Sequence, residues 1–239
     1  MAKKVRIQKK KIWKGPDEFI STSNKVFNYV LENQRNIIKL AIVFLIGVLF
    51  FVGWRVYSER TEREASNLYY EAIRYYHGDD GAKSPVKDDK ERYNIALKRF
   101  KDLLENYPRT SIVPMAFLYC GHIYYKLKEF DKSIQSYQDF LKRTPSDSSL
   151  RVFAFDGSGC AYEAKGDYKN ALKYFRKLVD GNKNPLSKLG YLNIGKCYEE
   201  LEEKNKAIET YQQMLATYPN SGYAAWAKER IRILQRDAS

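Results

Sequence analysis

Cysteine and histidine are scarce in this 239-residue chain, and their scarcity limits the chemistry that it can perform. The three cysteines, Cys120, Cys160 and Cys197, are too few and too scattered for a disulfide framework or a CxxC metal site. The two histidines are His77 and His122, so a catalytic or metal centre would use most of this stock. The sequence also lacks a Walker motif, paired catalytic acids and zinc-ligand spacing. We therefore expect a non-enzymatic protein with no cofactor, no metal and no small-molecule substrate.

Glycine and proline are sparse as well, at 13 and 7 residues, which excludes collagen-like chains and Pro/Gly-rich disordered chains. The chain is instead rich in helix-forming residues, and 44% of its residues are hydrophobic. This is enough apolar material for a sizeable packed core in one or two domains.

Positive charge is concentrated at the start of the chain. The formal net charge is +13, and residues 1–39 hold ten Lys and Arg against three Asp and Glu. Such a basic segment can neutralise nucleic-acid phosphates, but beside an apolar run the binding of anionic lipid headgroups is the simpler use. We expect no nucleic-acid partner.

One long apolar run follows this basic segment. Residues 40–54 contain no charged side chain, and extending the run to 37–57 gives a helix of about 31 Å, close to the ~30 Å hydrocarbon core of a bilayer. The long stems of Lys39 and Arg55 can reach the two membrane interfaces, and Trp54 suits the second interface. We therefore predict a transmembrane helix over 37–57.

Two other interpretations of the apolar run are weaker. A buried core helix would usually show a polar face, which the uninterrupted apolar run does not have. A cleaved signal peptide would need an A-x-A-like cleavage site, whereas the bulky and charged sequence RVYSERTERE follows the run. Since the first cysteine is Cys120, a lipid-modified N-terminal cysteine is not expected either. An uncleaved anchor fits best.

The charge bias of the tail predicts the orientation of this anchor. Short segments rich in Lys and Arg stay in the cytoplasm, whereas long domains cross membranes largely regardless of their charge. Residues 1–36, which include a predicted amphipathic helix at the membrane surface, should therefore face the cytoplasm. Residues 1–57 would contact the lipids of a bacterial inner membrane, and residues 58–239 would lie in the periplasm. The reverse orientation, with a cytoplasm-facing adaptor domain, stays open.

The rest of the chain repeats one pattern three times, at intervals of 38 and 36 residues between its glycines. Each copy has an aromatic residue, a glycine four positions later, a tyrosine three positions after the glycine, and a small residue twelve positions after it. The glycines are Gly121, Gly159 and Gly195, and the small residues are Ser133, Ala171 and Ala207, with Ala96 in an earlier, incomplete copy. Because only small side chains allow two helices to approach closely, we predict that these residues lie at helix crossings.

This pattern resembles the tetratricopeptide repeat over roughly residues 62–235. The resemblance implies an all-α solenoid of about four helical hairpins with a C-terminal capping helix, within residues 58–239. In the first copy, Ala72 and Ala96 are 24 residues apart, which is twice the interval seen elsewhere. The surplus at 77–89 is rich in turn formers and charges, so we predict an exposed loop insertion there.

A narrower resemblance concerns the anchor and the helix after it. A basic tail and an aromatic amphipathic helix precede Gly53-Trp54-Arg55, Ala65, Ser66 and Tyr70. This arrangement is similar to the ancillary subunit of the bacterial Sec translocon, a family of inner-membrane proteins with periplasmic tetratricopeptide domains. It implies a membrane-anchored scaffold that binds a protein partner, such as a translocon or chaperone component, in translocation, periplasmic chaperone function or envelope assembly.

The resemblance to tetratricopeptide proteins also implies a concave groove, lined by first-helix residues outside the packing stripe. Carried onto this chain, the partner-binding residues are Tyr69, Ile73, Tyr76, His77, Met115, Leu118, His122, Tyr125, Phe153, Asp156, Cys160, Glu163, Leu189, Leu192 and Lys196. The first half of this set is aromatic and apolar and the second half is increasingly polar, which suits an extended peptide or a partner's helix. Since the chain has 20 tyrosines, packing against the loop or the cap is the alternative role for some of these residues.

A thiol-based function is a second hypothesis for the same face. Cys160 lies near His122 in the predicted groove, and a redox catalyst or sensor would use Cys160 as a thiolate. Reactive thiols require both a depressed pKa and exposure to solvent, so this hypothesis depends on the surroundings of Cys160.

Overall fold

The computed structural model describes residue 25 and residues 27–78, 88–180 and 186–236. The helices in these ranges are α1 (Gln34–His77), α2 (Asp89–Asn106), α3 (Val113–Lys126), α4 (Phe130–Arg143), α5 (Arg151–Ala164), α6 (Tyr168–Val179), α7 (Ser187–Glu200), α8 (Lys204–Thr217) and α9 (Ala224–Arg236). Residues 27–32 are also helical. Because the described ranges contain no strand, the predicted all-α fold class is confirmed.

The chain divides into two units between Glu59 and Arg60. In the first unit, an 18-residue stretch of α1 has a mean hydropathy of 2.6 and none of it is buried. Side chains such as Phe44 and Phe50 are accordingly 73% and 74% exposed. Of the helices in the described ranges, only α1 is long and apolar enough to cross a membrane, judged by length and composition. The predicted end of the span at residue 57 lies inside this continuous helix, and most of the predicted tail at 1–36 lies outside the described residues.

In the second unit, the last turns of α1 begin a stack of helical hairpins. Ala65, Tyr69 and Ala72 are buried at helical spacing, and they pack with residues of α2 and α3 in one core cluster. Helix α2 begins after Asp88, whose carboxylate caps the helix by accepting a hydrogen bond from the backbone N–H of Glu91 (2.9 Å). The end residues of the predicted loop at 77–89, His77 and Asp89, are helical, and residues 79–87 lie outside the described ranges.

The turn between the two helices of a hairpin has the same geometry in three hairpins. Lys128, Gly166 and Glu202 have φ angles of 62°, 75° and 59°, in the left-handed region. The next backbone N–H donates to the carbonyl of the repeated tyrosine, from Glu129 to Tyr124 (2.8 Å), from Asp167 to Tyr162 (2.9 Å) and from Glu203 to Tyr198 (2.8 Å). This six-to-one hydrogen bond ends the first helix of each hairpin in the same way.

The repeated glycines lie against an aromatic ring of the second helix in their own hairpin. A Cβ atom at Gly121, Gly159 or Gly195 would lie less than 3.0 Å from the ring of Tyr137, Phe175 or Tyr211, respectively. The small residues of the motif are also buried, and Ser133 Oγ donates a hydrogen bond to the carbonyl of Gly121 (2.8 Å). The sequence pattern predicts that each glycine lies against the small residue twelve positions later. In the structure, the aromatic ring four positions after that small residue makes the closer contact.

The core runs along the stack in three clusters. The first joins the end of α1 with α2 and α3, the second joins α3, α4 and α5, and the third joins α6, α7, α8 and α9. Helix α9 closes the third cluster through Ala227 and Leu234. The first helix of each hairpin therefore has one face in the core and another face available for binding.

Candidate functional site

We use the name groove face for the surface that the last turns of α1 share with α3, α5 and α7. Three residues predicted to line it lie in the core instead: Tyr69, Leu118 and Leu192 are 9%, 3% and 3% exposed. The Tyr69 ring packs edge-on against Phe100 and Tyr119, with ring centroids 5.8 and 5.9 Å apart. The prediction of a groove role for these three residues was therefore wrong, because their helix positions turn toward the neighbouring helices.

The other predicted residues remain accessible to different degrees. The half-buried ones are Ile73, Tyr76, Met115, His122, Tyr125, Asp156, Cys160, Glu163 and Leu189, and the exposed ones are His77, Phe153 and Lys196. Ring contacts and electrostatic interactions link several of these side chains across neighbouring helices, and they divide the groove face into an aromatic part and a charged part.

The aromatic part is organised around Tyr119, a residue that the sequence pattern did not single out. Its ring centroid lies 5.3 Å from Tyr76, 6.5 Å from His77 and 5.8 Å from His122, each in an edge-to-face arrangement. The spacing 115, 119, 122 fits one helix face as well as the predicted spacing 115, 118, 122, so periodicity alone did not separate Tyr119 from Leu118. Aromatic side chains of α1 and α3 thus form one connected apolar surface.

His122 is neutral at physiological pH. Burial, together with the charge of Lys126, lowers the pKa of its imidazole to about 4. Its ring also packs edge-on against Tyr137, with centroids 5.6 Å apart. In the part of the chain that the structure describes, no three His, Cys, Asp or Glu side chains are grouped closely enough to hold a metal ion. His122 therefore extends the aromatic surface and adds no positive charge to it.

Helix α5 carries the carboxylates of the groove face. Burial, reinforced by the charge of Glu163, raises the pKa of Asp156 to about 6. Burial also raises the pKa of Glu163, with a further contribution from Glu200. The Oδ1 atom of Asp156 is buried and accepts no hydrogen bond from the described residues. This part of the groove face therefore holds two carboxylates that the surrounding protein stabilises poorly.

Cys160 lies between these carboxylates on α5. Burial and the charges of Asp156 and Glu163 raise the pKa of its thiol to about 12. A reactive cysteine requires the opposite shift, so these surroundings argue against the thiol-based hypothesis. Cys120 and Cys197 are buried, and burial raises the pKa of both thiols to about 12 as well.

The charged part continues onto α7 and α9, where opposite charges and aromatic rings meet. Glu199 accepts a hydrogen bond from the hydroxyl of Tyr211 (2.6 Å) and pairs with Arg230. The ammonium group of Lys196 lies 5.7 Å from the ring centroid of Trp226. Together with α5 and α6, these helices surround a cleft of about 260 Å³, which is lined by Glu163, Tyr168, Lys196, Glu199, Glu200, Trp226 and Arg230.

Two residues of this cleft, Trp226 and Arg230, belong to α9, to which the sequence pattern assigned a capping role alone. Ala227, Ile231 and Leu234 pack on the core at helical spacing, whereas Trp226 and Arg230 lie between them, so α9 presents a second face as well as a packing face. This spacing in the sequence could have indicated that Trp226 and Arg230 face away from the core.

Comparison with known protein families gives a match for most of the hairpin stack. The family model described as YfiO, outer membrane lipoprotein, matches residues 82–237, which is more than half of the chain. A TPR repeat-containing protein of Treponema pallidum (strain Nichols) is 26% identical over 108 residues, covering 45% of each chain. The human intraflagellar transport protein 88 homolog is 24% identical over 128 residues, which are 52% of this chain and 15% of that protein. The chain spans less than half the length of these two relatives.

Solved structures give the same fold. The apo form of RapI matches with a TM-score of 0.59 and 16% identity, over 73% of this chain and 64% of that one. A putative kinesin light chain with TPR-like repeats from Podospora anserina matches with a TM-score of 0.52 and 12% identity, over 74% of this chain and 97% of that one. At these identities the likeness concerns the fold alone, and it confirms the predicted solenoid of helical hairpins.

Proposed function

Because the chain belongs to the YfiO family of outer membrane lipoproteins, we propose that it is a membrane-anchored scaffold that binds a protein partner during assembly of the cell envelope. Tetratricopeptide-type solenoids act by presenting an extended surface to another protein. The groove face supplies such a surface, with apolar rings at one part and charges at the other. The connected rings of Tyr76, Tyr119 and His122 are the observation that carries the proposal, since these half-buried rings form a partly accessible apolar surface, which is typical of a docking site.

The proposed anchor is the apolar part of α1. None of its most apolar 18-residue stretch is buried, and a helix of this composition is stable in lipid because its backbone hydrogen bonds are internal. The excess of Lys and Arg in residues 1–39 favours a cytoplasmic start of the chain. We therefore place the span in the bacterial inner membrane and the hairpin stack in the periplasm, where it would meet other envelope proteins.

A role beside the Sec translocon or a periplasmic chaperone is the second candidate within this proposal. It is favoured by the likeness of the Gly53-Trp54-Arg55 segment and the following helix to the ancillary translocon subunit. The family match, which covers 82–237, favours envelope assembly. In either setting we assign the groove face a binding role and no reaction, since its thiol has a raised pKa.

Site-specific photocrosslinking in cells tests the proposed docking. A photoreactive amino acid at Tyr76 or at Tyr125 should trap the same protein, because both side chains lie on the groove face. The matched control is Glu105, which is exposed on the second helix of the first hairpin and should trap no such protein. Equal crosslinking at all three positions, or none at the two tyrosines, would contradict a groove-based scaffold.

Protease protection in spheroplasts tests the proposed orientation. If the hairpin stack lies in the periplasm, an added protease should degrade it in intact spheroplasts while the cytoplasmic tail stays protected. Complete protection of the hairpin stack would instead support the cytoplasm-facing adaptor.

A further inference from the structure

The carboxylates of α5 differ from Glu199 of α7 in having no ion pair among the described residues. Glu199 pairs with Arg230 on the neighbouring helix. For Asp156 and Glu163, no Lys, Arg or His nitrogen lies within 4 Å among the residues that the structure describes. The charge of Lys196 acts on Glu163 and opposes the rise in its pKa, and the Lys196 ammonium group lies over the Trp226 ring. The middle of the groove face therefore carries unbalanced negative charge in a chain whose net charge is strongly positive.

These carboxylates are also held in a partly desolvated setting. The buried Oδ1 atom of Asp156 has no hydrogen-bond donor among the described residues, although a carboxylate oxygen normally accepts at least one hydrogen bond. Burial favours the protonated form of both side chains, and a partner's cation would favour the ionised form. A charged group arriving from another protein would thus remove an existing electrostatic cost.

An aromatic side chain lies beside the carboxylates. Tyr125 lies on α3, which contacts α5. Burial and the charges of the α5 groups Cys160, Glu163 and Asp156 raise the pKa of its hydroxyl. The Tyr125 ring also packs against Phe130, with centroids 5.7 Å apart. A guanidinium group can stack on a tyrosine ring while donating hydrogen bonds to carboxylates, whereas an ammonium group is a compact point charge. The combination of ring and carboxylates therefore suits arginine better than lysine.

The neighbouring rings supply the apolar half of the recognition surface. Tyr76, Tyr119 and His122 form one connected surface on the same side of α1 and α3. Because His122 is neutral, it does not repel a basic segment that approaches this surface. Acidic ligands such as phospholipid headgroups or nucleic acid would be repelled by Asp156 and Glu163, so charge complementarity selects a basic protein segment.

Resting on the scaffold function proposed above, we infer that the groove face docks an extended segment of the partner protein in which an arginine adjoins apolar residues. The arginine enters beside Tyr125 and pairs with Asp156 and Glu163, and the apolar side chain lies on the rings of Tyr76, Tyr119 and His122. The interaction is non-covalent, and the carboxylates supply its selectivity.

Selection from a random peptide library tests this inference and does not require that the partner be identified first. The full chain, purified in detergent and immobilised, is panned against a phage library of random dodecapeptides. We expect enrichment of sequences with arginine next to a Leu, Phe, Tyr or Trp. The Asp156→Asn/Glu163→Gln double variant should lose this preference, and the Glu105→Gln/Glu209→Gln variant, with the same charge change at exposed positions of α2 and α8, should keep it.

An exchange within the selected peptide separates binding from folding. Replacing its arginine by citrulline, which is neutral and of similar shape, should weaken binding to the wild-type chain at least tenfold in fluorescence anisotropy. The same exchange should change binding to the double variant less than twofold, because the carboxylates that recognise the charge are absent. This comparison concerns the peptide, so a small loss of stability in the variant does not affect it.

The outcomes separate the inference from the scaffold proposal. Two results would overturn the arginine site while leaving groove docking intact. One is enrichment of peptides without a basic residue, and the other is an equal loss of affinity for the wild-type chain and the double variant when citrulline replaces arginine. No enrichment by the wild-type chain would count against groove docking itself. Concentration-dependent dimerisation that the double variant abolishes would show that a second copy of the chain occupies the groove, and would also overturn the inference.

Discussion

The two parts of the groove face are built by different interactions. In the aromatic part, the ring of Tyr119 packs edge-on against Tyr76 and His122, with ring centroids 5.3 and 5.8 Å apart. In the charged part, Glu199 is held by a tyrosine hydroxyl and by Arg230. Ring contacts leave an apolar surface that requires no counter-charge, whereas ion pairs leave a surface whose charges already satisfy one another. The unbalanced carboxylates of α5 lie between these two arrangements, and this position makes them the selective element of the face.

The largest expected effect comes from removing the buried ring that supports each part, Phe100 against Tyr119 of α3 and Phe175 against Gly159 of α5. Phe100→Ala should lower the free energy of unfolding by about 3–5 kcal/mol, because Phe100 is fully buried. Phe175→Ala at the equivalent position of the third hairpin should cost less by about 0.5–1.5 kcal/mol, since Phe100 also packs on the rings of Tyr69 and Tyr119. Denaturant unfolding followed by circular dichroism measures both values. Equal losses would mean that the ring contacts add nothing to ordinary burial.

The two parts should also respond to pH in opposite directions. The folded-state pKa of Asp156 is raised from 3.8 to about 6, so its contribution to stability is present below pH 3.8 and is lost as the pH rises through 6. The folded-state pKa of His122 is lowered from 6.5 to about 4, so its contribution is present above pH 6.5 and is lost as the pH falls through 4.

Replacing Asp156 or His122 should therefore remove its own contribution to the pH dependence of the free energy of unfolding. As the pH rises from 4 to 6, Asp156→Asn should gain stability relative to wild type, because it lacks the loss that the buried carboxyl causes. As the pH rises from 4 to 6.5, His122→Asn should lose stability relative to wild type, because it lacks the gain that the buried imidazole causes. Each change should amount to about 3 kcal/mol across its window. Unfolding measured at several pH values between 4 and 7 gives both slopes. Slopes of the same sign in the two variants would show that burial does not control these groups.

The contact of a repeated glycine with an aromatic ring occurs beneath both parts of the groove face. Its stability effect can therefore be compared directly between the hairpins. Gly159→Leu should cost roughly 1–3 kcal/mol, because any side chain there overlaps the buried ring of Phe175. Gly121→Leu should cost more, since the Tyr137 ring lies against both Gly121 and Gly157 and cannot move aside. Gly222→Ala, where a Cβ atom would meet nothing within 4 Å, is the control and should be nearly neutral. Thermal and chemical unfolding give the three values, and a neutral Gly159→Leu would show that the repeat register is wrong.

The smallest expected effect concerns the ion pair of the charged part. Arg230→Met should cost about 1 kcal/mol in dilute buffer, because the Glu199 side chain is only 14% exposed. The loss should shrink in 1 M salt, where screening acts over about 3 Å. Arg232→Met is the matched control, because its pair with Glu229 is largely exposed and should contribute little. A loss that does not depend on salt would indicate that Arg230 acts through packing alone.

The sequence predicted the fold better than it predicted the site. Gly121, Gly159 and Gly195 mark the helix crossings, because a larger side chain at these positions would overlap the ring of the paired helix. The solenoid and its capping helix could therefore be derived from the pattern. The turns at Lys128 and Glu202 could not be predicted in this way. A backbone hydrogen bond sets their left-handed conformation, and the exposed side chain at the turn can be of many types.

The site depends on smaller differences in orientation. Leu118 and Tyr119 are adjacent and both hydrophobic, yet the first is buried and the second organises the half-buried rings of the groove face. Adjacent positions on α3 differ by one residue in their direction around the helix, and this difference decides which side chain is buried and which lies on the groove face. The hydrophobic periodicity is compatible with either choice. The contribution of Trp226 and Arg230 was not predicted either, because their proximity to α7 depends on how the last helix packs, which a local pattern does not record.

The shared turn geometry has a consequence for how such a chain can change over time. Three of the hairpins end their first helix with the same tyrosine carbonyl and the same backbone bend, whichever side chain occupies the bend. A whole hairpin could be duplicated or deleted without disturbing the joints that remain. The length of the docking surface, and with it the length of segment that it accommodates, could then be adjusted one module at a time while the chemistry at its middle is preserved.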